Sequence, residues 1–200
     1  MPPRTGAGEA VADPPSVLLV EDDPDLADLY ATWLSDACTV TTASDGRRAL
    51  EAMDDSLDVV LLDRRMPGLS GDEVLSTIRT RGLDARVAMV TAVEPDFDVV
   101  QMGFDDYLVE PVSEDDLRST VDQLLLRSAY DEQIQGLFAL ASKKALLTSQ
   151  QTEADVRSSE TYARLEDQLH VMRAQLDETM AELSTHDEYG RVCQDLSRTN

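Results

Sequence analysis

The 200-residue chain has almost no lysine. Only Lys143 and Lys144 are lysines among 17 bases, against 40 acids, and the formal net charge is −23. Such an excess of one sign repels itself and is relieved by salt. It gives nucleic-acid binding no electrostatic support. Acid-rich, lysine-poor surfaces resemble those of proteins from salt-loaded cytoplasms, so a halophilic protein is expected, with stability rising into molar salt. Cysteine is scarce too. Cys38 and Cys193 match no metal-ligand spacing, and a disulfide is not expected in a chain that reads as cytoplasmic. There is no run of eighteen apolar residues, so no membrane helix is expected. The N-terminus lacks the basic-then-apolar pattern of a signal peptide. Residues 1–15, MPPRTGAGEAVADPP, carry few large apolar groups and read as disordered.

What is present is a 42% apolar share, enough for a core, arranged in short bursts. SVLLV (16–20), CTVTT (38–42), DVVLL (58–62), RVAMV (86–90) and DYLV (106–109) read as strands. Helical spacing links Leu26, Leu29, Tyr30, Trp33 and Leu34 after Pro24, then Ala49, Leu50 and Met53 after a candidate Ser44 cap. A turn at MPGLSG (66–71) precedes a helix holding Val74, Leu75 and Ile78, and another helix is expected around 95–102. Ser113, with Asp116 at the capping-box position, opens a helix with Leu117, Val121, Leu124 and Leu125. Five alternations of strand and helix predict an α/β fold, a doubly wound, flavodoxin-like (βα)5 unit with a parallel sheet.

In such sheets the site lies at the carboxyl ends of the strands. There stand Glu21, Asp22 and Asp23 after the first strand, Asp63 after the third, Thr91 after the fourth, and Glu110 and Pro111 after the fifth. Several carboxylates around one crevice call for a hard cation or a retained proton, and Mg²⁺ suits an open acid pocket. With Thr91 as hydroxyl donor, the pattern suits phosphoryl chemistry at Asp63. Asp23 reads as a solvated acid at a helix start. The Glu110–Pro111 bond is a candidate cis peptide. His170 and His186 lie isolated on polar helical sequence and are not expected to be ligands or phospho-acceptors.

The stretches VLLVEDDP (17–24), DVVLLDRRMPGLSG (58–71), VTA (90–92) and GFDDYLVEP (103–111) together resemble the receiver domain of two-component response regulators. The resemblance implies that Asp63 accepts a phosphoryl group from a sensor histidine kinase. It implies that Glu21, Asp22, Asp63 and the backbone carbonyl of Arg65 bind Mg²⁺. Thr91 would bond a phosphoryl oxygen, and Tyr107 would be the aromatic that turns inward. Receivers usually carry lysine where Glu110 stands. Arg64, Arg65 or K⁺ are the candidates for the missing positive charge. The expectation is a phosphoryl acceptor rather than an enzyme, at most phosphorylating itself from a donor and slowly dephosphorylating. A haloacid-dehalogenase-type phosphatase would want an acid where Arg65 stands.

Beyond residue 128 the pattern changes. Ile134, Leu137, Phe138, Ala141 and Ala145 share a helical spacing, and QTEADVRSSE (151–160) is polar. Tyr162, Leu165, Leu169, Met172, Leu176 and Leu183 follow a 3,4 alternation, with Thr179 in the remaining place. The tail forms either an antiparallel hairpin or an intermolecular coiled coil. YDEQIQGLFALASKKALL (130–147) resembles the HalX-type extension of haloarchaeal response regulators. The expected organisation is a lead-in at 1–15, a receiver at 16–128 and a helical domain at 129–200. Output through protein contacts, with a homodimer and an unknown downstream protein, is expected. A phosphorylation-independent scaffold and a DNA-binding transcription regulator are the alternatives.

Overall fold

The computed structural model describes residues 13–95, 101–150 and 159–197. Its strands are β1 (Ser16–Val20), β2 (Thr39–Ala43), β3 (Val59–Leu62), β4 (Arg86–Thr91) and β5 (Asp106–Val109). Its helices are α1 (Pro24–Leu34), α2 (Gly46–Ala52), α3 (Gly71–Arg81), α4 (Glu114–Gln150) and α5 (Glu160–Ser197). All strand pairs are parallel, in the order β2-β1-β3-β4-β5. This is the flavodoxin-like order expected from the alternation. Chain order reverses between β1 and β3, and that switch point is where a crevice opens.

The burial of the strands explains their order. β1 and β3 consist almost wholly of buried Val and Leu and lie at the centre. β2 buries only Ala43, its threonines facing outward, and β5 is half-buried throughout. Both are edges, where one side of the strand meets water. On one face Val20, Val60, Leu62, Val74, Leu75, Ile78 and Met89 form a continuous core. Asp105 accepts bonds from Arg79 Nη2 (2.7 Å), Arg86 Nη1 (3.0 Å) and the Val87 amide (2.8 Å), which fixes the entry to β5.

Helix starts are locally encoded. Asp23 is the N-cap of α1, accepting from the Asp25 and Leu26 amides, with Pro24 following. Asp23 is therefore a cap and not only a solvated acid. Asp45, not Ser44, caps α2, accepting from the Arg48 amide at 2.9 Å; its carboxylate sits one residue nearer the orphan N–H groups. Ser70 and Glu73 close a capping box on α3, and Gly82 ends that helix in the left-handed region at φ 70°. Ser113 accepts from the Asp116 amide at 3.2 Å, at the start of α4. Of the helix expected around 95–102, residues 96–100 lie outside those described, as do residues 1–12 of the N-terminal segment.

The chain divides into two compact units at Arg118/Ser119, a point within α4. α4 runs without a break to Gln150, past residue 128 where the apolar pattern changes. Arg127, Ser128, Ala129 and Tyr130 contain neither glycine nor proline, so nothing local stops the helix.

Within the second unit, α4 and α5 pack antiparallel. Lys144 Nζ meets Glu166 at 2.7 Å and lies 5.6 Å from the Tyr162 ring centre, while Tyr130 Oη reaches Met180 Sδ at 3.9 Å. Between them Gly136 faces Met172. Of the two arrangements the alternation allowed, this is the hairpin. Leu165, Leu169 and Thr179 are buried, and Tyr162, Met172, Leu176 and Leu183 half-buried, so every seam position points inward. The face expected on α4 is rotated. Phe138 is 69% exposed, and Ala141 and Ala145 also face out, while Ile134 and Leu137 of the expected face are half-buried together with Gln133, Leu140, Lys144 and Leu147. The glycine at 136 and the reach of Lys144 to Glu166 select the second of two overlapping apolar stripes.

Candidate functional site

The parallel register brings separate acids together. Val20 pairs with Leu62, so Glu21 and Asp63 leave adjacent strands side by side. The Asp63 amide donates to the Val20 carbonyl at 2.9 Å, and the Glu21 amide to the Ala43 carbonyl at 3.0 Å. Each residue is therefore held by the neighbouring strand. Among the described residues, Glu21, Asp22 and Asp63 place one carboxylate oxygen each within 4.8 Å of one another. Glu21 is 6% and Asp63 9% exposed, while Asp22 faces solvent. A side chain at Gly71 would overlap the Asp63 carbonyl, so only glycine lets α3 start this close to the acceptor. The Arg65 amide donates to Asp63 Oδ1 at 3.2 Å.

Burial pushes the Glu21 carboxyl up to about 7; the Asp23 amide opposes the rise, and Asp63, Glu110 and Asp22 add to it. Three oxygen donors, two of them nearly closed off from water, fit a hard divalent cation such as Mg²⁺. The exposed Asp22 leaves the site open to water ligands.

The remaining expected residues surround the acids. Thr91 ends β4, is 1% exposed, and its Oγ accepts from the Val93 amide at 3.4 Å. Tyr107 is half-buried, with its ring 5.4 Å from Phe104, and its hydroxyl donates to the Val93 carbonyl at 2.7 Å. Thr91 and Tyr107 thus hold the same residue from two sides. Glu110 follows β5, its amide bonded to the Thr91 carbonyl at 3.0 Å, and the Glu110–Pro111 peptide is cis.

The candidates for a positive charge separate. Arg64 pairs with Asp72, with Nε–Oδ1 at 3.0 Å and Nη2–Oδ2 at 3.2 Å. Arg65 is exposed and lines a cleft shared with Asp22, Met66, Pro67 and Glu94. Helical spacing marked Tyr30 only as part of an apolar face and missed its place at the site. Tyr30 is 2% exposed and its hydroxyl donates to Glu110 Oε1 at 3.1 Å. Burial, then Glu110, pushes the phenol well above its usual range. A buried tyrosine hydroxyl demands a partner, the one available signal, but its partner stands eighty positions along the chain.

Comparison with known proteins decides the family. The response regulator receiver domain matches residues 17–122, and a HalX domain matches residues 126–193. The chain belongs to the response regulator receiver family. This receiver protein is 51% identical over 160 residues to a Haloferax volcanii protein provisionally named a transcriptional regulator, covering 80% of this chain and 27% of that one. It is 37% identical over 123 residues to the transcriptional regulatory protein CpxR of Escherichia coli K12, covering 60% and 53%. The receiver thus spans between about a quarter and about a half of the length of the curated relatives it matches. Among solved structures, the response regulator TrrA of Thermotoga maritima in complex with Mg²⁺-BeF superposes with a TM-score of 0.50 at 31% identity, covering 56% of this chain and 99% of that one.

Proposed function

We propose that this receiver protein is a phosphorylation-controlled response regulator in which Asp63 accepts a phosphoryl group from a sensor histidine kinase. The observation that carries the reading is the convergence of Glu21, Asp22 and Asp63 within 4.8 Å, beside a buried Thr91. An Asp63 carboxylate oxygen attacks the phosphorus, the P–N bond to the kinase histidine breaks, and an acyl phosphate forms. Glu21, Asp22, Asp63 and the Arg65 carbonyl would hold Mg²⁺, which when bound offsets the charge brought by the phosphoryl group. The related TrrA was solved in complex with Mg²⁺-BeF, which supports the same ligand class here. Thr91 donates to a phosphoryl oxygen. Tyr107 follows through the Val93 carbonyl it shares with that loop, biasing a two-state surface.

The receiver is taken as residues 16–128 and the helical output domain as 129–200, with 1–15 as a disordered lead-in. Output runs through the hairpin to a second copy and a downstream protein. No described helix is long and apolar enough to cross a membrane. A cytoplasmic location is part of the proposed phosphorelay role. It is an acceptor rather than an enzyme.

The test is Mg²⁺-dependent labelling by acetyl phosphate or a kinase. Wild type is expected to label and Asp63→Ala not; equal labelling of the two removes Asp63 from the role. Glu110 favours one second reading, a scaffold that works without phosphorylation, because an acid there disfavours an anionic phosphoryl group. Absence of labelling in wild type selects it.

A further inference from the structure

The Glu110 carboxylate is in an unfavourable place. Burial raises its pKa; the Tyr30 bond opposes the rise, and the charges of Asp63 and Asp23 add to it. Water and relief from like charge both lie outward, so the side chain needs something to hold it in. The structure supplies that hold in Tyr30, whose hydroxyl donates to Glu110 Oε1 at 3.1 Å from a fully packed position on α1. A bond to an ionised acceptor is stronger than one between neutral groups. The Glu110 backbone is fixed independently, by its amide bond to the Thr91 carbonyl. Position 110 is thus anchored at both ends, by β4 and by α1.

We propose that Tyr30 is a positioning residue for the acid site: its hydroxyl holds the Glu110 side chain at that site as a fourth carboxylate, which tightens the hold on a divalent cation and weakens the hold on a phosphoryl group. The inference rests on the metal and acceptor roles given above for Asp63. Opposite signs are required because a fixed carboxylate attracts Mg²⁺ and repels an anionic group by the same Coulomb law. Tyr30→Phe releases the carboxylate to rotate outward, and Glu110→Gln removes its charge in place.

The experiment uses the full chain and its Tyr30→Phe, Glu110→Gln and doubly substituted forms. Calorimetric titration with Mg²⁺ alone is followed by titration with beryllofluoride at saturating Mg²⁺. Each single substitution is expected to weaken Mg²⁺ about three- to tenfold and to tighten beryllofluoride by a similar factor. The double form is expected to match Glu110→Gln alone. Weakening of both ligands by Tyr30→Phe, unchanged Mg²⁺ affinity, or a Tyr30→Phe shift that persists with Gln at position 110 overturns the proposal. A cavity left by a merely structural tyrosine cannot give opposite signs for the two ligands. Failure of wild type to label on Asp63 removes the acceptor role, while the Mg²⁺ titrations still decide Tyr30.

Discussion

At the scale of the residue, Glu21 links the site to stability. Its carboxyl is raised from 4.5 to about 7 on folding, so between those values the folded chain binds more protons than the unfolded one. Stability therefore falls as pH rises through that window. Thermal melts without metal are expected to drop from pH 5 to pH 7.5, and Glu21→Gln is expected to flatten that slope. Saturating Mg²⁺ should restore the midpoint at pH 7.5, because a bound cation replaces the proton. A Glu21→Gln profile as steep as wild type would assign the pH dependence elsewhere. Arg64, next to the acceptor in sequence, has its planar fork engaged by Asp72.

At the scale of the element, the α4–α5 hairpin rests on few buried side chains among the described residues. Leu165 and Leu169 are its buried aliphatics on α5 among the described residues, and Thr179 takes a seam position while bonding the Gln175 carbonyl at 3.1 Å. Leu169→Ala is expected to cost the hairpin about 2–4 kcal/mol, read as a lower denaturation midpoint of the helical signal. Lys144→Ala is expected to lower the midpoint far less, since its pair with Glu166 is solvent-exposed. Equal costs would mean that the ion pair contributes as much as the apolar seam to holding the helices together. The 3,4 spacing of α5 revealed this seam fully. That of α4 did so only in part, because two stripes sharing Ile134 and Leu137 satisfy the same period and only the partner helix chooses between them.

At the scale of the whole molecule, charge dominates. A net charge of −23 favours any condition that screens it, and the screening length falls to about 3 Å in molar salt. The thermal midpoint of the full chain is expected to rise from low salt to molar KCl. A flat or falling midpoint would show that repulsion is not limiting. The same screening would permit two such acidic chains to associate, so the proposed dimer should be sought by sedimentation in molar salt.

The order of elements in the receiver, its parallel sheet and its row of acids were legible because each rests on a local cause. Apolar runs need burial, caps sit within three residues of the amides they satisfy, and acids lie directly after their strands. The register then decides which of those acids meet. Folding in three dimensions was needed to bring Tyr30 to Glu110, to turn Arg64 to Asp72, and to choose the inward face of α4. Those choices depend on side-chain reach between segments eight to eighty residues apart, where periodicity and spacing carry no information. Local chemistry along the chain was enough to specify a receiver with an acid where lysine is usual; the reach of Tyr30 on α1 to Glu110, just beyond β5, settled what that acid is tied to.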